Sequence, residues 1–329
     1  MKRLMVLVIF LAALTISELG MALEPPAGFL NEKPLTLTVG WNAGSTSDRN
    51  ARSMKPYLDQ IIPKALIIVN KPGASSLSMW NTYFASDQGD AYNFIFTNWP
   101  VAYQNVVGGT AKYKMEDFYQ LGGINNDPII FLKRKDDNRW GNFADFAKAC
   151  KKDPGKYKVA MTGPKSFQNL CAYYIMDVLG IKFQMVNSPG GANEANQFLA
   201  GGHVDVCLTN AYSGHLIREV SYALGLMSNT KVPNMWPEAT SISEQMGQPL
   251  ASLSVLRGYA INQKAFANHP DRVLYIQKAL DQACTHPNFL KDRKESGESD
   301  VAYWIPKAEY DSLLKENLKI VDQYKEYLK

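Results

Sequence analysis

Leu35, Leu37 and Val39 alternate with polar residues, and the alternation then gives way to W-N-A-G-S-T-S-D over 41–48. A period of two marks a half-buried strand, and the small polar run after it marks a turn that opens a helix. The same pattern recurs along the chain. Apolar runs at 35–40, 66–70, 93–97, 119–123, 128–133, 158–161, 183–186, 204–208 and 222–227 predict strands. Amphipathic stretches at 48–62, 75–86, 142–151, 166–179, 194–200 and 211–220 predict the helices between them. Two longer helical stretches follow at 270–284 and 306–327, the last with an apolar stripe of Leu313, Leu314, Leu318, Ile320 and Val321. Short strands alternating with helices imply βαβ units and mostly parallel sheets flanked by helices, an α/β fold.

In such sheets ligands bind beyond the carboxyl ends of the strands. The residues there are Trp41 to Asp48, Lys71-Pro72-Gly73-Ala74, Asn98-Trp99-Pro100, Thr162-Gly163-Pro164-Lys165-Ser166-Phe167, Ser188-Pro189-Gly190-Gly191 and Asn210-Ala211-Tyr212. Many of these corners are small or polar and open a helix. The first turn of a helix has unpaired N–H groups and a partly positive end, which suits a carboxylate or phosphate. Taken alone, the 41–48 run reads more simply as an ordinary cap by Ser45, Thr46 or Ser47, and Asp48 as a capping acid. Two groups of such corners on two sheets suggest a cleft with donors on both walls.

The first residues say where the chain works. Lys2 and Arg3 precede an apolar run over 4–16, and Gly20-Met21-Ala22 follows. That is the layout of a cleaved signal peptide over 1–22, with the mature chain starting near Leu23. The run falls short of the roughly 20 apolar residues needed to span a bilayer, so an exported, soluble periplasmic protein is expected. Cleavage removes two cations and one anion, taking the net charge from +4 to +3. Basic residues are mixed with acidic ones, as in Lys133-Arg134-Lys135-Asp136-Asp137, so nucleic acid is not an expected partner. The four cysteines lie far apart without metal-ligand spacing. An oxidising compartment allows a disulfide, for which Cys171 and Cys207 are the candidates, although Cys207 in V-D-V-C-L also reads as a small buried hydrophobe.

Enzyme motifs are missing. There is no G-x-S-x-G elbow, no H-E-x-x-H, no Walker loop and no G-x-G-x-x-G. His203, His215, His269 and His286 sit at turns, on a helix face or before prolines, without a nucleophile beside them. No catalysis, cofactor or metal is expected.

Taken in order, the corners resemble the extracytoplasmic solute-binding proteins of tripartite tricarboxylate transporters, the Bug type. A P-G-G-x-x-D loop followed by A-R is matched by Ala43 to Asp48 and Ala51-Arg52. The R/K-P-G-A signature is matched by Lys71-Pro72-Gly73-Ala74, and S-x-G-x-G-S/T by Met161 to Ser166. Y-K-G-G-A is matched by Ser188 to Ala192, and L-x-G-G-x-V-D-V by Leu199 to Val206. Pro237, Glu244 and Gly247 echo a P-x-x-x-E-x-G stretch loosely.

The resemblance implies a two-lobed, Venus-flytrap binding protein that closes about a hinge. Lobe 1 would hold 23–125 plus 228–329, and lobe 2 would hold 126–227. It implies a small-molecule carboxylate held by main-chain amides and hydroxyls, and a monomer that docks on a permease of one large and one small integral-membrane subunit. The residues so placed are Trp41, Asn42, Ala43, Gly44, Ser45, Thr46, Ser47, Asp48, Asn98, Trp99, Thr162, Gly163, Lys165, Ser166, Phe167, Gly190, Gly191, Asn210, Tyr212 and Arg257.

Three departures bear on the ligand. Ser45 replaces a family glycine, Lys165 adds a cation where a small residue is usual, and Ser188-Pro189 removes one. Trp41, Trp99, Phe167 and Tyr212 would flank a flat ligand or wall the cleft. Arg257 would meet a second anionic group, or else sit in a surface ion pair. The expected ligand is an organic acid, aromatic or with a second polar end. Binding proteins of ABC and TRAP systems and ligand-sensing modules of sensor kinases share the two-lobed plan and remain alternatives.

Overall fold

The computed structural model describes residues 23–328; the expected signal peptide lies outside the described residues. The chain opens with β1 (Thr36–Val39), α1 (Thr46–Arg52), α2 (Lys55–Leu58), β2 (Ile67–Asn70), α3 (Leu77–Ser86), β3 (Asn93–Trp99) and α4 (Val101–Val107). A long strand, β4 (Phe118–Arg134), leads to α5 (Phe143–Lys152), β5 (Lys158–Thr162), α6 (Phe167–Leu179), β6 (Gln184–Ser188) and α7 (Ala192–Ala200). Then come β7 (Val206–Asn210), α8 (Ala211–His215), β8 (Ser221–Leu226), α9 (Ile242–Met246) and β9 (Ser254–Asn262). The chain finishes with α10 (Gln263–Asn268), α11 (Pro270–Thr285), α12 (Pro287–Glu295) and α13 (Lys307–Gln323).

Helices α4, α9, α10 and α12 were not foreseen, and α8 stops at His215; three further differences have identifiable reasons. The stretch 48–62 is two helices, because Pro56 lacks the N–H that would carry the helix on by bonding the Arg52 carbonyl. The two strands foreseen at 119–123 and 128–133 are one, β4, with register shifts between Gln120 and Gly122 and between Gly123 and Asn125. Such shifts bend a strand without ending it. Strand β9 was not foreseen at all, since Arg257-Gly258 splits its apolar run into pieces too short to notice.

The sheet order is β2-β1-β3-β9-β4-β7-β5-β6, with β8 also on β4. Strand β4 belongs to both ends: residues 118–128 pair with β9, while 129–133 pair with β7 and 130–134 with β8. The assembly is therefore two half-sheets joined through one strand. In the first, β2, β1, β3 and β4 run one way and β9 opposes them. In the second, β6, β5, β7 and β8 run together and β4 opposes them. Most strands in each half thus run parallel to one another, and helices cover both faces, as a two-lobed α/β fold requires.

Each half has its own core. Phe94, Phe96 and Tyr259 of the first half pack on Val273, Ile276 and Leu280 of α11. The opposite face carries Ile95, Trp80, Trp99, Tyr310 and Leu314. In the second half Phe131, Phe143, Phe146, Ile175 and Leu208 form one layer, and Ile130, Leu132, Leu199 and Trp236 the other. Val232, Met235 and Ile242 share those second-half cores, as do Ile320, Val321, Tyr324 and Leu328. Helix α13 therefore begins in one core and ends in the other. All four cysteines are buried and unlinked, so the Cys171–Cys207 disulfide does not form; Cys207 instead offers its thiol to Asn196 Oδ1 at 3.5 Å. No described helix is long and apolar enough to cross a membrane.

The seam where β9 meets β4 is tight. A Cβ at Gly258 would lie 2.4 Å from the Gly122 carbonyl oxygen and 2.8 Å from the Tyr310 ring. Main chain cannot move aside cheaply there, so Gly258→Ala is expected to destabilise the protein by about 1–3 kcal/mol, the usual range for overpacking. Urea denaturation of the purified variant measures it; an unchanged midpoint would contradict this packing.

Candidate functional site

The first corner forms as the sequence suggests, and Ser45 and Asp48 engage its Asp48 and Gly44 amides. Ser45 caps α1, its Oγ accepting from the Asp48 N–H at 3.2 Å. Asp48 in turn accepts from the Gly44 N–H at 2.8 Å, from Arg52 Nε at 2.9 Å and from Asn70 Nδ2 at 2.7 Å. Burial would raise the Asp48 pKa, yet these bonds from Arg52, Asn70 and Gly44 outweigh it and hold the carboxyl below its ordinary value. Asp48 is thus a capping acid that ties α1 to β2. Trp41 packs edge-on against Trp80 and Phe96, with centroids 5.8 and 6.1 Å away. None of residues 41–48 lines the cavity described next.

That cavity, about 680 Å³, opens between α4 on one side and the turn before α6 on the other, with β9 as its floor. Of the expected site residues it gathers Asn98, Thr162, Gly163, Lys165, Ser166, Phe167, Asn210 and Arg257. The turn is stitched by Asn169. Its Oδ1 accepts from the Lys165 N–H at 3.1 Å and its Nδ2 donates to Asn187 Oδ1 at 2.8 Å, fixing Lys165 at φ +60°. Ser166 caps α6 by accepting from the Asn169 N–H at 3.2 Å. The Phe167 and Gln168 N–H groups have no partner among the described residues, so this thirteen-residue helix presents open donors and the positive end of its dipole to the cleft.

The floor is a set of polar side chains from five strands and the first turn of α6. Thr162 Oγ1 donates to Gln168 Oε1 at 2.7 Å, and Gln168 Nε2 donates to Asn210 Oδ1 at 2.7 Å. Arg257 stands opposite Asn98 of β3 and Asn125 of β4. Its Nη1 donates to Asn125 Oδ1 and lies 3.8 Å from Asp127 Oδ2. The Arg257 Nε and the Asn98 Oδ1 are buried without a partner. Arg257 is thus no surface ion pair but a cleft residue, its side chain 13% exposed.

Asp127 is its counter-charge. Burial pushes the Asp127 carboxyl up to about 6, against the opposing pull of Arg257 and the N–H of Tyr212, which donates to Asp127 Oδ1 at 3.0 Å. Burial likewise lowers the pKa of Arg257, with Asp127 pulling it back. One carboxylate and one amide leave a guanidinium with five N–H groups incompletely matched, and an unmatched buried donor is costly. An anion in the cleft would complete it.

The remaining expected residues lie elsewhere. Trp99 is fully buried in the core, 5.1 Å from the Phe118 ring. The Gly190 and Gly191 N–H groups donate to Glu194 Oε2 at 2.8 Å and to the Ser188 carbonyl at 2.9 Å, and only Ala192 behind them reaches the cleft. Tyr212 does not line the cavity; it is half-buried, its hydroxyl donating to Glu298 Oε1 at 2.9 Å. Conversely, Gln168, Gln104, Val255 and Leu328 line the cleft, and Asn125 and Asp127 hold its arginine, without having been singled out. Gln168 alone had a local signal, three residues past Lys165 at the start of a helix. Among the described residues no cluster could hold a metal ion.

The Asp127 geometry has a measurable consequence. Its pKa of about 6 in the folded protein exceeds the ~3.9 of an unfolded chain, so the native state binds more protons in between. The group therefore contributes stability below about pH 4 that is lost as pH rises through 6. Asp127→Asn, which keeps an acceptor for Tyr212, is expected to lose stability less steeply than the parent between pH 4 and 6.5. Parallel slopes in urea titrations across that range would contradict it.

The fold and this cleft can be set beside known proteins. A "TctC solute binding protein from Polaromonas" superposes with a TM-score of 0.76 at 22% identity, covering 91% of this chain and 99% of that one. Two chains from Rhodopseudomonas palustris, "Rpa4515 with adipate" and "MatC (Rpa3494) … with bound malate", superpose with TM-scores of 0.67 and 0.66 at 16% and 15% identity. Each pairing covers 91% of this chain, and 98% and 100% of the other. Residues 50–320 match the model of the TctC family, "Tripartite tricarboxylate transporter family receptor". The chain belongs to that family of periplasmic solute-binding proteins.

Proposed function

We propose that this protein captures a small organic acid, with a dicarboxylate favoured, in the cleft floored by Arg257 and delivers it to a two-subunit membrane permease of the tripartite tricarboxylate type. It would act in the periplasm after signal-peptide cleavage, as a monomer and without catalysis. The observation that carries this reading is the buried Arg257 with an unpartnered Nε, facing a cavity onto which the open N-terminus of α6 also points. The malate and adipate bound by two structural relatives are both dicarboxylates, which supports the ligand class.

The energetics are adequate. A carboxylate entering the cleft loses its hydration and needs a donor for nearly every lone pair. The Arg257 guanidinium and the Phe167 and Gln168 amides are the donors this reading assigns. At roughly 1.5–3 kcal/mol per charge-assisted bond, three or four of them would reach the about 8 kcal/mol of a micromolar complex after ordering costs. A second carboxylate would meet Lys165, whose side chain is exposed at the cleft mouth.

The lobes in this reading are 23–125 with 228–329 and 126–227, except that 232–242 and 320–328 pack with the second lobe. Closure would bring α4 against the α6 turn, where Gln104 Nε2 already donates to the Lys165 carbonyl at 3.3 Å.

Isothermal titration with succinate, malate, adipate, tricarballylate, benzoate and adipamide tests the proposal. At least one dianion is expected to bind in the micromolar range and the diamide not at all. Arg257→Gln should weaken that binding by about 10- to 100-fold, whereas Lys165→Ala should lower affinity by less than about tenfold and only for acids with two anionic ends. If no acid binds, or if Arg257→Gln folds normally and binds as the parent does, the assignment is wrong.

A further inference from the structure

Within that acid-binding reading, the cleft is two-ended, and the far end is closed by a part of the chain remote in sequence. Arg257 and Val255 both line the cavity and stand two residues apart on β9, hence on one face and about 7 Å from each other. Around Arg257 the lining is polar, with Asn98, Asn210 and Gln168. Val255, by contrast, belongs to one continuous apolar cluster with Phe167 and Leu328, and all three face the cavity. A ligand anchored by a carboxylate at Arg257 would lay its carbon chain along this apolar side.

Leu328 is held firmly there. It ends a 3-10 turn, Lys325–Leu328, that follows α13. Tyr324 donates to Asp177 Oδ2 at 2.7 Å, and Tyr327 stacks on Tyr173 with centroids 3.8 Å apart. Asp177 and Tyr173 both lie on α6, the helix whose first turn opens onto the cleft. The turn is thus fastened to one cleft wall, and Leu328 is 7% exposed. Extra volume at this position has nowhere to go but into the ligand space or the core behind it.

We infer that Leu328 is a specificity-determining residue that, together with Val255 and Phe167, sets the length of the carbon chain the cleft accepts between the Arg257 end and its mouth. The ligand class is then an acid with a linear or flat apolar body, rather than a compact, hydroxyl-rich one. Each methylene that gains or loses burial against this wall changes affinity about fourfold.

The experiment is a titration of the full mature chain with the straight-chain α,ω-dicarboxylates from succinate to suberate. The parent, Leu328→Ala, Leu328→Val and Leu328→Trp are compared, with thermal midpoints recorded for each. The inference expects the tightest-bound length to move up in Leu328→Ala, less in Leu328→Val, and down in Leu328→Trp, by at least fourfold in relative affinity. An unchanged ranking of lengths in any Leu328 variant that keeps a cooperative thermal transition overturns it. Arg257→Gln separates the two levels of the argument. Uniform weakening across all lengths upholds the anchor even if the Leu328 variants rank the acids alike, whereas no binding by any protein sinks the acid-binding reading and this inference with it.

Discussion

A guanidinium buried where two half-sheets meet cannot stand uncompensated, and much of this molecule is arranged around that fact. Arg257 sits on β9, next to the one strand both halves share, and Asn98, Asn125 and Asp127 bring polar atoms to it from β3 and β4. The compensation is partial by construction. Asp127 is itself desolvated and divides its oxygens between Arg257 and the Tyr212 amide. Were Asp127 a tighter partner, the charge would be neutralised and the cleft would offer an anion little; were it absent, the arginine would be a heavy burden on the fold.

The two strand-to-helix corners show how similar sequences reach the same local geometry. At 43–48 the side chain of Asp48, three residues past the cap, accepts from the Gly44 amide just before the cap and from Asn70 at the end of β2. At 162–169 the equivalent place holds Asn169, whose side chain accepts from the Lys165 amide just before its cap and donates to Asn187 of β6. What separates the corners is the cavity, which the second lines and residues 41–48 do not.

Much of the fold was legible because it rests on local chemistry. Strand β1, the capped start of α6 and the amphipathic stripe of α13 each follow from a periodicity and a cap that a few residues display. The second wall of the cleft was legible for the same reason, since Thr162 to Phe167 form one contiguous turn. What was hidden depends on distant partners. Strand β9 carries a charge and a glycine that make sense only once Asn125, Tyr310 and the Gly122 carbonyl are beside them. The continuity of β4 through Asn125-Asn126-Asp127-Pro128, which reads as a turn, depends on its changing partners there from β9 to β7 and β8. Trp99 looked like a cleft aromatic because it follows a strand and neighbours Asn98, which does line the cleft; alternation along β3 sends the two to opposite faces.

Helix α13 has a consequence for how the chain comes to be folded. Its first turns complete one core and its last turns the other, while β9 must wait for most of the polypeptide before it can slot between β3 and β4. The first half therefore waits for residues 310–314 and the second for those from 320 onward, and the pairings that matter most join segments more than a hundred residues apart. Such late closure slows folding and keeps the nascent polypeptide loose, the condition in which a protein can be threaded across a membrane before it takes its final shape.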